Sequence, residues 1–186
     1  TGISRASTAT TPSMSRSFAY DSNGYMNSQT DWNGNSTTYV NNTKGNPTTI
    51  NEAVGSSAAR TTTIAYNTTW PEVPDTITVP GLTTTFTSDS NGNMLTRTGT
   101  DTTSQTVPYS TNGQTRTWTY TYSGTGQVLT ATNPRTDLTA TTTYTYSNGA
   151  LTSITNALSQ TTNITSRTAG GYPLTVVDPN SVTTTF

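Results

Sequence analysis

The sequence holds no cysteine and no histidine. That excludes thiol nucleophiles, disulfides, histidine metal ligands and any triad built on an imidazole base. Charge is scarce: 8 Lys and Arg against 9 Asp and Glu, 9% of the chain, for a formal net charge of -1. With no basic patch, nucleic-acid binding is not expected. No apolar run approaches the roughly 20 residues of a membrane-spanning helix. Residues 1–14 lack the apolar stretch of a secretory signal, and the chain opens on Thr1 rather than Met. It reads as a mature fragment or as a piece of something longer.

What is present is threonine. There are 51 of them, about a quarter of 186 residues, while only 28% of the chain is hydrophobic. Low apolar content is common in disordered chains, but those carry high net charge and few β-formers. Here Thr, Tyr, Val, Ile and Phe predominate among the patterned positions, and they suit a pleated, half-buried surface. The composition predicts an all-β protein with a thin apolar layer.

The order of residues repeats. An aromatic-ended strand meets a glycine turn, then a short apolar stretch, then Asp or Asn, then a run of threonines. Gly24 to Tyr39, Gly149 to Ile164 and Gly171 to Phe186 each span 15 positions. Seven residues after each glycine stands Asp31, Asn156 or Asp178, and Gly126 obeys the same rule with Asn133. Gly92 opens a stretched copy. A period near twenty residues denotes stacked supersecondary units. Tyr20, Tyr39, Phe86, Tyr144, Ile164 and Phe186 are the predicted repeat anchors, one apolar residue closing each unit.

The clearest strand is Thr117-Trp118-Thr119-Tyr120-Thr121-Tyr122, with three aromatics on one face and three threonines on the other. Thr143-Tyr144-Thr145-Tyr146 repeats it before the turn Ser147-Asn148-Gly149. Asp21-Ser22-Asn23-Gly24 is another tight turn. Asn133-Pro134 and Asp178-Pro179 end strands, since proline cannot donate to a ladder. The middle is less regular: Gly55-Ser56-Ser57-Ala58-Ala59 reads as a loop insertion, and Trp70 to Pro80 carries three prolines. Residues 1–15 show no periodicity and are predicted to be an irregular N-terminal arm or a damaged repeat, with the repeat domain over 16–186.

Several copies resemble a known family. Phe18-Ala19-Tyr20-Asp21-Ser22-Asn23-Gly24 is similar to the Tyr-Asp motif of YD repeats, also called RHS repeats. Ser88-Asp89-Ser90-Asn91-Gly92, Tyr144 to Thr162 and Gly171 to Asn180 resemble it in the same register. The resemblance implies antiparallel hairpins stacked into one continuous sheet that spirals into a shell or solenoid. In bacterial members such a shell encloses a C-terminal toxin; in animal teneurins a related barrel belongs to a cell-surface adhesion protein. This chain keeps one Tyr-Asp pair, Tyr20-Asp21, and has Tyr66-Asn67, Tyr122-Ser123 and Tyr146-Ser147 elsewhere. The family's arginine after the turn glycine is replaced by Tyr25, Asn93, Gln127 and Ala150. No toxin domain is visible, and a chain this short is not expected to close a cage alone.

Candidate chemistry is thin. Asp21 and Asp89 precede Ser-Asn-Gly, but a calcium loop needs more acidic oxygens in succession, so they read as turn formers. Asp31, Asp101, Asp137 and Asp178 are too dispersed for a carboxylate pair, and Asn133 and Asn156 take the place of Asp31 and Asp178 in other copies. Trp32 and Trp70 lie off the anchors and are the candidates for a ligand surface. Asn35, Asn41, Asn67 and Asn163 head Asn-x-Ser/Thr sequons, which matter only along a glycosylating secretory route.

The expectation is therefore a non-enzymatic scaffold without metal or cofactor, extracellular or at the cell surface. Its partners are other segments or copies of the same protein and an enclosed cargo. Open, uncharged strand edges extend that expectation to end-to-end assembly into a filament. The rival reading is an adhesin-like module binding glycans or proteins through Trp32 and Trp70.

Overall fold

The structure, a computed structural model, describes residues 2–8, 14–138 and 140–186. Sixteen strands form one antiparallel sheet in which every strand neighbours those before and after it in sequence. They are β1 (Gly2–Arg5), β2 (Met14–Tyr20), β3 (Met26–Thr30), β4 (Ser36–Asn41), β5 (Pro47–Glu52), β6 (Arg60–Tyr66), β7 (Pro74–Val79) and β8 (Leu82–Ser88). Then follow β9 (Met94–Asp101), β10 (Thr115–Tyr122), β11 (Val128–Thr132), β12 (Thr141–Ser147), β13 (Ala150–Thr155), β14 (Thr161–Arg167), β15 (Pro173–Val177) and β16 (Thr183–Thr185). No helix among the described residues is long and apolar enough to cross a membrane.

The hairpins share a common ladder from copy to copy, as the repeats require. Within the aperiodic stretch, Gly2–Arg5 is nonetheless a strand, paired to Met14–Ser17 of β2. Backbone pairing needs no hydrophobic period, which is why the sequence does not announce it. The irregular middle is regular in structure. Its extra residues sit in loops; Pro74 opens β7 at the bulge opposite Tyr66, and Pro80 follows its end.

The chain divides into two compact units, Thr1–Thr85 with Gly99–Gln114, and Phe86–Thr98 with Thr115–Phe186. In the first, register places Phe18 opposite Gln29, Tyr39 opposite Ile50, and Ile64 opposite Ile77. In the second, Tyr120 faces Ala131, Tyr144 faces Ile154, and Ile164 faces Val176. Most of these pairs are apolar and mark the apolar face of each unit, whose rows also take in Gln29, Thr62, Thr84 and Thr162. Guanidiniums cover two of its rings: Arg16 stands 4.5 Å from the Phe18 centroid, and Arg97 4.6 Å from that of Trp118.

The other face is threonine. In the second unit Thr121, Thr130, Thr143, Thr155 and Thr161 stand in one line across five strands. Hydroxyls pair across it, Thr121 with Thr130 at 2.7 Å and Thr155 with Thr161 at 2.8 Å. In the first unit Thr49, Thr63, Thr78 and Thr83 form the same kind of line, closed by Thr78 and Thr83 at 3.3 Å. β-Branched Thr holds its rotamer on a strand and presents a hydroxyl to its neighbour, so a polar face forms without Lys or Glu.

A single layer leaves little to bury. Among the described residues no hydrophobic side chain is fully buried, and Thr84, at 8% exposure, is the one buried residue. The accessible surface is 12138 Å², against about 8,600 Å² for a compact monomer of this mass.

Candidate functional site

The chemistry-bearing residues cluster at strand ends, and a shared turn puts them there. Asp21 Oδ1 accepts from the Asn23 and Tyr25 amides, both at 2.9 Å. Asp31 does the same for Asn33 and Asn35 at 2.8 and 2.9 Å, Asp89 for Asn91 and Asn93 at 2.8 and 2.9 Å, and Asp178 for Asn180 and Val182 at 2.9 and 2.8 Å. Three residues after each cap the chain turns left-handed, at Gly24, Gly34 and Gly92 with φ between 83° and 84°, and at Ser181 with φ 66°. Asn156 caps an identical turn through Leu158 and Gln160, with Ser159 at φ 61°. At Gly45 the constraint is double: its φ is 85°, and a Cβ there would lie 2.5 Å from the Tyr25 ring.

The sequence reading overlooked further caps of this kind. Asn42 accepts from Lys44 and Asn46, Ser123 from Thr125 and Gln127, and Thr168 from Tyr172. The signal was present: each stands three residues before Gly45, Gly126 or Gly171. Gly149 belongs to a tighter two-residue turn with Asn148 at φ 51°. Asn133 instead closes its loop through its own amide, 3.0 Å from the Ala140 carbonyl.

These carboxylates are occupied by their own turns. The Asn35 side chain, followed by the Asn35 amide, holds Asp31 below its ordinary 3.8, and the Asn93 side chain does the same for Asp89. The Thr103 hydroxyl and amide and the Thr111 hydroxyl hold Asp101 down. Arg135, 2.7 Å away, holds Asp137 down. Groups that stay ionised and accept several donors are poorly suited to proton transfer near neutrality. Among the described residues no three His, Cys, Asp or Glu side chains converge as a metal site.

Trp32 and Trp70 are about equally exposed, at 38% and 37%. They do not make one stripe: Trp32 is in the turn after β3 and Trp70 in the turn after β6, at opposite ends of the strands in the first unit. Trp32 lines a cavity of about 320 Å³ with Arg16, Gln29, Asp31, Asn35 and Thr37. Of the predicted anchors, Tyr39, Phe86, Tyr144 and Ile164 are half-buried. Phe186 is 75% exposed beyond the last strand. Tyr20, 52% exposed, holds a different place. Register makes Phe18 the equivalent of Tyr39 and Tyr144, and Tyr20 the equivalent of Asn41 and Tyr146.

No protein-family model matches the sequence, and no curated protein does. Solved structures do share the fold. One is TcdB2-TccC3 without its hypervariable C-terminal region, with a TM-score of 0.69 and 15% identity over 92% of this chain. Another is TcdB2-TccC3, with a TM-score of 0.56 and 14% identity over 96% of this chain. The chain spans 9% and 12% of those two chains. At such identity the likeness concerns the fold, which is RHS-like.

Proposed function

We propose that this chain is a wall segment of a larger RHS-like shell, a structural scaffold with no catalytic role. The observation that carries the reading is the uncovered apolar face: sixteen strands in order, and no hydrophobic side chain fully buried among the described residues. A sheet with one aromatic face and one hydroxyl face is half of a layered structure, and its stability depends on what lies against it. Its small share of the TcdB2-TccC3 chains supports a longer parent. On this reading residues 16–186 are the repeat domain, 1–15 flank it, the partners are other segments or copies of the same sheet, and a cargo lies inside. The location is extracellular or at the cell surface. End-to-end filaments are the variant in which copies, not one long chain, continue the sheet.

An antibody against residues 16–186, used on native cell, surface and medium fractions, tests this. The expected result is a polypeptide several-fold heavier than 19.7 kDa at the surface or in the medium, forming hollow particles under the electron microscope. Fibres built from the 19.7 kDa chain would select the filament variant. A free monomer of that mass with enzymatic turnover would end the scaffold reading.

One observation favours a second reading, the cavity that Trp32 shares with Arg16, Gln29 and Asn35. An indole beside polar donors suits a sugar ring. If Trp32→Ala leaves glycan-array binding unchanged, that reading is lost.

A further inference from the structure

The residue that ends the strand before each turn has a job of its own. Asn41, Tyr66, Tyr122 and Arg167 are the last residues of β4, β6, β10 and β14, and Tyr146, last but one in β12, is their equivalent by register. Each crosses to the preceding hairpin and donates to a backbone carbonyl. Asn41 Nδ2 lies 3.0 Å from the Met26 carbonyl, and the Tyr66 hydroxyl 3.0 Å from that of Pro47. The Tyr122 hydroxyl lies 2.9 Å from the Met94 carbonyl, and that of Tyr146 2.9 Å from Val128. The Arg167 guanidinium donates to the Leu151 carbonyl.

The acceptor is the same structural position every time. Met26, Pro47, Met94, Val128 and Leu151 are each the second residue after a turn glycine: Gly24, Gly45, Gly92, Gly126 and Gly149. Separation in sequence, by contrast, runs through 15, 19, 28, 18 and 16 residues. The loops between differ in length, yet three kinds of side chain land on one backbone atom. Chance surface contacts would not follow the register while ignoring the spacing.

The ladder explains why a donor is needed there. Pairing of β11 with β12 stops at Thr130 opposite Thr143, two residues short of Val128. β3 with β4 stops at Ser28 opposite Thr38, β5 with β6 at Thr49 opposite Thr63, and β13 with β14 at Ser153 opposite Asn163. Each is two residues short of the latched carbonyl. Past that point the next backbone offers no partner, and an unpaired carbonyl in a half-buried sheet is costly. Burial, and then Glu72, push the Tyr66 hydroxyl above its ordinary value; burial, Tyr120 and Asp89 do so for Tyr122, so both remain donors.

We propose that this pre-turn side chain is an inter-hairpin latch: it bridges the gap where the backbone ladder stops and holds consecutive hairpins in register whatever loop separates them. In β8 the position is Ser88, whose side chain is shorter than any of the five. Tyr20 holds the place in β2 and meets no acceptor among the described residues. The latch stands on the hydrogen bonds alone, so it survives or fails independently of the shell reading.

Tyr146→Phe keeps the ring and deletes only the donor. Hydrogen exchange on the full chain should then run about five-fold faster in the β11–β12 ladder. The β12–β13 hairpin amides should keep their protection. Tyr146→Arg should restore the slow exchange, because Arg167 already performs this bond. Tyr122→Phe should loosen the β9–β10 ladder in the same way. Unchanged exchange in both Phe variants, or loosening that spreads evenly over the sheet, would overturn the latch.

Discussion

A carboxylate that accepts several hydrogen bonds from its own turn holds that turn best when ionised. Asp31, Asp89 and Asp101 all have values held below 3.8. The sign follows from linkage. A depressed folded value adds stability that is present above the unfolded value and lost as pH falls through the folded one. Melting temperature should therefore be level from neutrality down to about pH 4 and fall below it. An amide can make the same cap, as Asn156 shows: its Oδ1 accepts from Leu158 and Gln160, and its Nδ2 reaches Gln160 Oε1 at 2.8 Å. Asp31→Asn should keep the neutral melting temperature and make the acid decline shallower. A neutral-pH loss as large as that of Asp31→Ala would show that charge, not geometry, holds the turn. At this scale the sequence was readable, since cap and left-handed residue sit three apart. The latch was not, because its two ends lie 15 to 28 residues apart and only register brings them together.

Elements in this chain differ less than their loops. The strands before and after residues 102–114 pair like the others, although those residues interrupt the period. Asp101 closes that loop: Oδ1 accepts from the Thr103 amide and hydroxyl at 2.7 Å, and Oδ2 from the Thr111 hydroxyl at 2.8 Å. Asn112 Nδ2 adds a bond of 2.8 Å to the Thr103 carbonyl. Val107 and Tyr109 stand out at 76% and 69% exposure. Asp101→Ala should speed chymotryptic cleavage after Tyr109 several-fold while β9 and β10 stay protected, as mass spectrometry of the fragments would record. An unaltered cleavage rate would mean that other contacts hold the loop. Strand pairs are open to the same scrutiny. Replacing Thr121 and Thr130 together by Ala should cost about 0.2–1 kcal/mol in denaturant unfolding, the range for a cross-strand pair. A zero change would reduce the threonine lines to solubility.

For the whole molecule, the missing core has a calorimetric signature. Heat capacity of unfolding follows the apolar surface newly exposed, about 12–15 cal/mol/K per residue for compact domains. With no fully buried hydrophobic side chain among the described residues, the value here should fall below about 12 cal/mol/K per residue. A value inside the compact-domain range would show that the chain buries its apolar face in solution, as a self-associated sheet would. Dilution would then lower the melting temperature and separate the two cases.

Alternation of aromatic and threonine, glycine after Asx, and a recurring distance dictate strands, turns and a one-sided apolar face without reference to anything remote. Local sterics and hydrogen bonds suffice for those choices, and they are legible at Thr117 to Tyr122 or Asp21 to Gly24. Which hairpin leans on which, the pairing of Gly2–Arg5, the separation of Trp32 from Trp70 and the carbonyl each latch finds all depend on register between strands. Register is set by the ladder and its bulges, between residues that loops of differing length hold apart, so no local pattern in the chain records it.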